Sequence, residues 1–409
     1  MRAVGGAAGG RAARRARVRR GDGVRGGGRA RGRALTPWWA DGWLRAEGGL
    51  TLDGFDLAEA RGRTPLYVYS RRSALARLAE IAAHVDRVWY AMKANRFPPL
   101  LDALREAGAG ADACSPREVE LALARGWKPD EVSFNAGMLS DRDMARVAET
   151  GVHVTLDSFS AIRRWPRPGP IGLRVDPAVR AGYGLDPKVV YGDAKFGVRL
   201  ADVPDAVALA ASRGLVVDRI HAHLGWGLQA GDAAAVDAAF ASVARVARGL
   251  RAVNIGGGLG ARQREADAPL ALEVWASAIR RHLGGFEVQC EPGTWVVARA
   301  GVLICEVTTV ERKGDVTWVG LDAGHNVNVY AAHYGIPLEV VPVSRPLAPA
   351  TTRCNLAGNL NEAGDVFARD TMLPALEEGE LVALLPAGAY GATMASDHCL
   401  RGNVGEMMV

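Results

Sequence analysis

Cysteine is scarce in this chain of 409 residues, and no two cysteines form a C-x-x-C pair. The spacing therefore lacks the usual signature of a zinc site or of a disulfide framework. Long apolar runs are also missing, since no uninterrupted stretch reaches the roughly 18 residues that a membrane span needs. We expect a cytoplasmic protein with no metal site and no membrane partner; the five scattered cysteines are Cys114, Cys290, Cys305, Cys354 and Cys399.

Acidic residues are almost absent from residues 1–35, which contain eleven arginines and one acid, Asp22. The rest of the chain is therefore mildly acidic, although the net charge of the whole is +5. Residues 1–34 have no apolar period and are predicted to be a disordered tail rich in Arg, Gly and Ala. Translation from an upstream start codon, a solvated tail and a nucleic-acid-binding arm all stay open. Because the tail has no aromatic residues, we favour the first two and expect no nucleic-acid partner.

From Thr64 onward, short β-rich runs alternate with helical stretches. This alternation predicts an α/β fold with a parallel sheet closed into a (β/α)8 TIM barrel. Strands are predicted at 66–69, 88–92, 110–113, 132–135, 152–157, 171–175, 219–224, 253–255 and 286–290, and helices at 73–85, 98–107, 116–125 and 232–250.

After Glu291 the helical stretches fade and turn-separated strands follow. They predict a smaller β-sandwich or barrel-like domain, with strands at 302–310, 316–321, 338–343, 381–385 and 406–409. The expected organisation is an N-terminal segment (35–63) that joins the β domain, the barrel (64–300) and the C-terminal β domain (301–409).

Lys93 follows the apolar run at 88–92, where a buried barrel strand is expected to end. Catalytic groups of such barrels lie at the C-terminal ends of the strands. Desolvation is expected to lower the pKa of a lysine there and make its amine nucleophilic. A lysine whose stem packs while its head reaches water is the alternative. The same strand ends carry further polar residues, namely Asp112, Asn135, Asp157, Arg174, His221, His223 and Glu291.

A series of short motifs resembles the pyridoxal-phosphate-dependent diaminopimelate, ornithine and arginine decarboxylases of the alanine-racemase-like fold, with diaminopimelate decarboxylases the most similar. The resemblance runs from about Thr64 to Val409. Its motifs occur in the family's order: Tyr90-Ala-Met-Lys93-Ala-Asn95, Lys195-Phe-Gly197, His221-Ala-His223, Gly256-Gly-Gly258, Glu291-Pro-Gly293, Asp322-Ala-Gly324, Asn361-Glu362-Ala-Gly-Asp365 and Gly388-Ala-Tyr390.

The resemblance implies pyridoxal 5′-phosphate as the cofactor, with Lys93 as its Schiff-base lysine. It implies that Glu291 faces the ring nitrogen, and a carboxylate there keeps the ring protonated and a strong electron sink. That favours decarboxylation over racemisation. Lys93, His223 and Glu362 are the implied catalytic residues. The other implied cofactor contacts are His223, Arg174, Gly256, Gly257, Gly258, Gly293 and Tyr390.

Several positions depart from the family pattern. Asn361 replaces a proton-donating cysteine, and an amide cannot donate a catalytic proton. Thr294 and Tyr330 stand where the family has arginines that bind substrate or phosphate, and Trp226 stands in place of a serine. We therefore expect an amino-acid substrate other than meso-diaminopimelate, free or tethered to a carrier, with contacts to Tyr330, Tyr334, Thr294, Asn361 and Glu362.

The sequence thus predicts an amino-acid α-decarboxylase that works as a homodimer with shared active sites. By resemblance, Glu362 and Tyr390 from the β domain complete the neighbouring subunit's site. An amino-acid racemase or epimerase is one alternative. A catalytically impaired protein that still binds pyridoxal phosphate is the other.

Overall fold

The computed structural model describes residues 37–46, 48–192 and 194–409, so the predicted disordered tail at 1–34 lies outside the described part. The first strands, β1 (Leu44–Arg45), β2 (Thr51–Leu52) and β3 (Phe55–Asp56), form a small antiparallel sheet. They are followed by β4 (Leu66–Tyr69). Within the described ranges, no helix is long and apolar enough to span a lipid bilayer.

Eight parallel strands close into a barrel, which confirms the predicted (β/α)8 fold. The strands are mostly buried, as expected of parallel strands covered on both faces. Pairing of the last barrel strand with the first, at Cys290 and Val88, closes the ring. The strands of this region are β5 (Arg87–Ala91), β6 (Gly110–Ala113), β7 (Val132–Asn135), β8 (His153–Leu156), β9 (Gly169–Asp176), β10 (Val198–Arg199), β11 (Leu215–His221), β12 (Ala252–Asn254) and β13 (Glu287–Cys290), of which β10 lies outside the ring.

Helices connect the barrel strands. Four of them begin at a serine whose hydroxyl accepts a hydrogen bond from the backbone N–H three residues on, which satisfies one free donor of the first turn. The helices are α1 (Arg71–Ala82), α2 (Pro98–Glu106), α3 (Pro116–Ala124), α4 (Asp141–Thr150), α5 (Phe159–Arg164), α6 (Val203–Ser212), α7 (Ala233–Val246) and α8 (Leu272–His282).

A second, mixed sheet follows the barrel, as predicted. Its main path runs in the order β16-β19-β14-β15-β17-β18, while β4 pairs with β14 and β20 pairs with β4. The elements are α9 (Thr294–Val297), β14 (Gly301–Lys313), β15 (Val316–Leu321), α10 (Val329–Tyr334), β16 (Glu339–Pro342), β17 (Thr352–Ala357), β18 (Val366–Leu373), β19 (Leu381–Leu385) and β20 (Gly405–Met408).

β4 differs from the expectation. The alternation placed residues 66–69 at the start of the barrel, but β4 pairs antiparallel with β14 and parallel with β20. All four residues of β4 are buried, and a short buried run looks the same in a barrel strand and in a two-sided sheet. The strands β17 and β18 were not predicted, because several of their residues are polar or exposed.

The two faces of the second sheet bury different partners. Leu66 and Val68 of β4 pack in a cluster with Leu50 and Leu52 of the N-terminal segment. Tyr67 and its neighbour Tyr69 point to the opposite face, as the two-residue period of a strand requires. The described residues of the N-terminal segment therefore cover one face of this sheet.

At the end of the barrel opposite the strand C-termini, the buried Arg219 donates to Nδ1 of His153 over 2.8 Å. Burial, together with the positive charges of Arg219 and Arg87, lowers the pKa of His153 from 6.5 to about 4. The folded protein thus keeps this imidazole neutral where the unfolded chain would protonate it.

This histidine predicts a component of acid sensitivity. Between pH 6.5 and about 4 the unfolded chain binds a proton at residue 153 that the folded chain does not, so acidification lowers stability. We expect His153→Gln, which keeps an acceptor for Arg219, to lose less thermal stability than the wild type when pH falls through this window. His84→Gln, which leaves Arg219 untouched, is the control. Equal losses in wild type and His153→Gln would contradict the assignment.

Candidate active site

Glu291 lies directly after β13 and is only 4% exposed. Its Oε1 accepts a hydrogen bond from the amide of Asn254 at the end of β12 over 2.7 Å. Its Oε2 lies 3.0 Å from Nε2 of His221 at the end of β11. Asn135 at the end of β7 approaches both residues, with its amide nitrogen 2.9 Å from His221 Nε2 and 3.5 Å from Oε2. Strand ends around the barrel mouth therefore converge on one carboxylate.

The surroundings of Glu291 keep it ionised. Burial alone would raise its pKa, but His221 beside it, with Lys93 and His223, holds that pKa well below its usual value. Burial lowers the pKa of His221, so we take it as a neutral donor to the carboxylate. His221 thus contacts the central acid directly.

Lys93 lies in a single turn after β5, and its Nζ is 3.5 Å from Oδ2 of Asp112 in the adjacent strand β6. Its side chain is 42% exposed toward the mouth, whereas that of Asp112 is 1% exposed. Burial lowers the pKa of Lys93, but Asp112 and further negative groups outweigh it and raise the pKa well above its usual value. The expectation of a lowered lysine pKa was therefore wrong, because the sequence did not reveal the carboxylate beside it.

The charge on Asp112 depends on Lys93 in turn. Burial and the nearby Glu291 raise the pKa of Asp112, while Lys93 lowers it. Oδ1 of Asp112 is buried and has no hydrogen-bond partner among the described residues. Lys93 and Asp112 therefore stabilise each other's charge, and each would be neutralised more easily alone.

The glycines at 256–258 form a turn after β12. A larger residue at any of the three positions would clash with its neighbours. A Cβ on Gly257 would lie 2.4 Å from the carbonyl oxygen of Glu291, and Gly256 and Gly258 have φ of +65° and +106°. The amide of Gly256 donates to Asn254 and that of Gly257 to Nδ1 of His223. Two of the three amides are thus already bonded within the protein.

His223 accepts from Gly257 through Nδ1, so its other nitrogen carries the proton of the neutral ring. Burial and the charges of Arg174 and Lys93 lower its pKa well below 6.5. The ring lies edge-on to Tyr191, with 4.7 Å between centroids. His223 therefore presents a neutral, oriented imidazole at the mouth.

Arg174, in β9, is 6% exposed, and its Nη1 lies 3.4 Å from Oδ1 of Asn135. The guanidinium carbon is 4.4 Å from the ring centroid of Phe196. Arg174 thus contributes a fixed positive charge near Asn135 and Glu291.

A cavity of about 120 Å³ lies over Lys93. Tyr390 reaches it from the second sheet: its backbone N–H donates to the carbonyl of Ala94 over 2.6 Å, and Thr393 donates to the carbonyl of Lys93 over 3.0 Å. Besides Lys93, Lys188 and Tyr191, the lining includes four rings that we call the aromatic wall: Trp226, Tyr330, Tyr334 and Tyr390. Tyr390 thus lines a cavity with Lys93 of its own chain, and its predicted contribution to a neighbouring subunit's site stays a prediction.

Gly293 packs against the turn of Lys93 and Thr294 contacts Trp226 of the cavity lining, while Asn361 and Glu362 lie outside that lining. Thr294 is 4% exposed and accepts a hydrogen bond from the indole of Trp226. A Cβ on Gly293 would lie 2.8 Å from that of Ala94. Asn361 and Glu362 are exposed on a loop before β18, where Glu362 Oε1 lies 3.1 Å from Nε2 of His398.

These groups fit pyridoxal phosphate. An amine on Lys93, an ionised buried carboxylate on Glu291 and a glycine turn suited to an anion stand at one barrel mouth. The sequence alone did not identify Asn254, Lys188 and Tyr191 as residues of this site. Of these, Asn254 alone left a signal, since it is a polar residue within an otherwise apolar strand.

Comparisons with known proteins agree with this geometry. The family model for the pyridoxal binding domain of pyridoxal-dependent decarboxylases matches residues 71–298. Diaminopimelate decarboxylases of Methanothermobacter thermautotrophicus and Pseudomonas fluorescens are 32% and 34% identical to the chain, covering 87% and 86% of it and 89% of each relative. The crystal structure of diaminopimelate decarboxylase from Helicobacter pylori complexed with L-lysine has a TM-score of 0.77 at 26% identity, covering 85% of this chain and 91% of that one.

The Lys93 to Asp112 contact predicts how the amine titrates. Asp112→Asn keeps the shape of the side chain but removes the charge that outweighs burial, so the pKa of Lys93 should fall. Each unit of decrease exposes about tenfold more free amine below the pKa. We expect an acylating reagent to label Lys93 of the cofactor-free variant faster than in the wild type, measured by peptide mass spectrometry. Exposed Lys128 is the internal reference, and an unchanged ratio of the two labelling rates would contradict the prediction.

Proposed function

This chain belongs to the family of pyridoxal-dependent decarboxylases, and on that premise we propose that it is an amino-acid α-decarboxylase whose substrate is not meso-diaminopimelate. When bound, pyridoxal phosphate supplies an electron sink for the electron pair left when the α-carboxylate departs as CO₂. The observation that carries the proposal is the buried, ionised Glu291, held between Asn254 and His221. A carboxylate opposite the ring nitrogen favours the protonated ring, and with it decarboxylation.

Lys93 is proposed to hold the cofactor covalently through Nζ. Before that bond forms, the positive charge of Lys93 is balanced by Asp112. The side chain of Lys93 is exposed toward the mouth of the barrel. His223, kept neutral and fixed by Gly257, is proposed to pack on the cofactor ring. The backbone N–H of Gly258 has no acceptor among the described residues. We propose that this N–H and Tyr390 bind the phosphate.

Two further residues, Arg174 and Gly293, have proposed roles around the cofactor. Arg174 adds positive charge near Glu291 and orients Asn135. Gly293 permits the close approach to Ala94 that places the turn of Lys93. These contacts exclude other side chains from the floor of the site, so the cofactor would have one orientation.

Proton return to the substrate Cα is assigned to Lys93 Nζ. Asn361 cannot donate a proton, and it lies on an exposed loop. The carboxylate of Asp112 raises the pKa of Lys93, so the free amine holds a proton at neutral pH. Lys93 is thus proposed both to bind the cofactor and to protonate the product.

Thr294 and Tyr330 support the proposal that the substrate is not meso-diaminopimelate. Arginines at these positions of the resembling family bind carboxylates or phosphate, and a bidentate guanidinium cannot be replaced by a hydroxyl. Here the Thr294 hydroxyl is bonded to Trp226, and Tyr330 is 6% exposed within the aromatic wall. The distal carboxylate of diaminopimelate would therefore lack its partners.

The oligomeric state, the form of the substrate and the cellular compartment are also part of the proposal. We propose a homodimer in which the exposed Glu362 reaches the neighbouring site, and a free or carrier-tethered amino acid as substrate. The cytoplasm is the proposed compartment, supported by five unpaired cysteines.

The role of Lys93 can be tested by reduction. Adding pyridoxal phosphate should produce an imine absorption band, and borohydride should fix the cofactor to the peptide that contains Lys93. Lys93→Ala should lose the band and the modified peptide. Lys128→Ala, on the exposed surface, is the control and should keep both. A cofactor fixed to a different lysine would refute the assignment.

The role of Glu291 can be tested by turnover. Single amino acids should be screened for CO₂ release, and Glu291→Gln should lower kcat by about 100-fold, the usual size of one lost electrostatic contact. Glu287→Gln at the start of the same strand is the matched control. Incubation in heavy water, with chirality measured, separates the alternatives. Inverted amino acid without CO₂ release would indicate a racemase, and a stable imine without any turnover would indicate an impaired protein.

A further inference from the structure

The aromatic wall is one continuous surface above Lys93. Tyr330 is at its centre, with centroid distances of 5.1 Å to Tyr390, 5.4 Å to Tyr334 and 5.8 Å to Trp226. Trp226 also stacks on Tyr334 at 6.4 Å. Ring pairs at these distances are favourable packing partners. Each ring is therefore placed by its neighbours, and the wall has a defined shape before substrate binds.

Trp226 is fixed from several directions. Its indole Nε1 donates to Thr294 Oγ1 over 2.7 Å. Its backbone N–H donates to Val189 over 2.9 Å, and its carbonyl accepts from Tyr183 over 2.9 Å. The preceding Gly225 packs so closely that a Cβ there would lie 2.1 Å from the carbonyl oxygen of Ala181. The indole is thus a rigid part of the wall, and the bond to Thr294 sets its orientation.

The aromatic wall provides few ionic contacts for a charged substrate side chain. Lys93 and Lys188 are the only charged residues lining the cavity within the described ranges, and no carboxylate lines it there. Lys188 is exposed, and its Nζ already donates to the carbonyl of His333 over 2.7 Å. A substrate ammonium would therefore meet a cation and find no carboxylate in the lining. A substrate carboxylate would meet one solvated lysine, and exposed ion pairs of this kind contribute little.

One polar atom on the wall has no partner. The hydroxyl of Tyr330 is buried and makes no hydrogen bond to the described residues. Burial raises the pKa of Tyr330 well above 10.0, so the hydroxyl stays protonated and available as a donor. A buried donor without an acceptor is unfavourable, and a ligand that supplies the acceptor relieves this.

We propose that the aromatic wall selects an amino acid whose side chain is uncharged, largely apolar and ends in a hydrogen-bond acceptor for Tyr330. The inference rests on the proposed decarboxylase function and names the substrate class of that site. Trp226, Tyr330 and Thr294 are its specificity-determining residues. Thr294 acts through Trp226 and is a positioning residue.

A substrate panel on the holoenzyme tests the selection. We expect kcat/KM for CO₂ release from tyrosine and glutamine to exceed that from lysine, glutamate and meso-diaminopimelate by at least about tenfold. Both enantiomers of each chiral substrate are measured. Tyr330→Phe removes only the donor, so it should raise KM for tyrosine and glutamine and leave KM for phenylalanine unchanged. The phenylalanine arm is the matched control for loss of packing.

The hydrogen bond to the indole is tested by a pair of variants. Thr294→Val removes the acceptor for Trp226 and should reduce the preference for uncharged over charged substrates, chiefly through KM. Thr294→Ser keeps the acceptor and should retain the preference. A shift of tryptophan emission in Thr294→Val but not in Thr294→Ser would report the released indole. Retention of the cofactor absorption band establishes that each variant is folded.

The outcomes separate the inference from the function on which it rests. Release of CO₂ chiefly from lysine, glutamate or diaminopimelate would overturn the selection while leaving the decarboxylase proposal intact. Equal effects of Tyr330→Phe on tyrosine and phenylalanine would overturn the role of the hydroxyl. Absence of CO₂ from every amino acid, with the cofactor bound to Lys93, would overturn the proposed function and the inference together.

Discussion

A single buried carboxylate, that of Glu291, determines the polar residues at the mouth of the barrel. An unpaired charge at that depth is too costly to persist, so its partners must come from neighbouring strands. Asn254 and His221 lie at the ends of β12 and β11, and Asn135 reaches across from β7. All three positions depend on the closed ring of strands. The barrel is thus the scaffold that supplies a buried, ionised acid with its hydrogen-bond partners.

A second constraint joins the two parts of the chain at Lys93. Tyr390, Asn95 and Thr393 make hydrogen bonds between the turn of Lys93 and the loop after β19. Tyr390 has φ of +62°, a conformation that is strained for a tyrosine. The bond from its N–H to Ala94 holds it there. The lysine and Tyr390 of the aromatic wall are therefore positioned together, although they lie 297 residues apart in the sequence.

Much of the fold and part of the site could be predicted from the sequence, because both depend on local patterns. The strand at 88–92 follows from a continuous apolar run, and Lys93 and Glu291 from motifs. The partner of β4 could not be predicted, since a fully buried run of four residues has no directional signature. The raised pKa of Lys93 depends on Asp112, which the barrel places beside it through strand pairing. The pairing of β4 and the pKa of Lys93 thus depend on contacts that form only on folding, and the sequence pattern does not contain them.

Three of the departures from the family pattern, Trp226, Thr294 and Tyr330, are in direct contact. Thr294 and Trp226 are 68 residues apart in sequence, yet the hydroxyl of one accepts from the indole of the other. Tyr330 packs edge-on against that indole. An arginine restored at position 294 alone would place a guanidinium against a partly buried indole, with no carboxylate lining the cavity in the described ranges to pair with it. Neighbouring positions in direct contact do not contribute independently. The three side chains therefore form a contacting unit in which each positions the next.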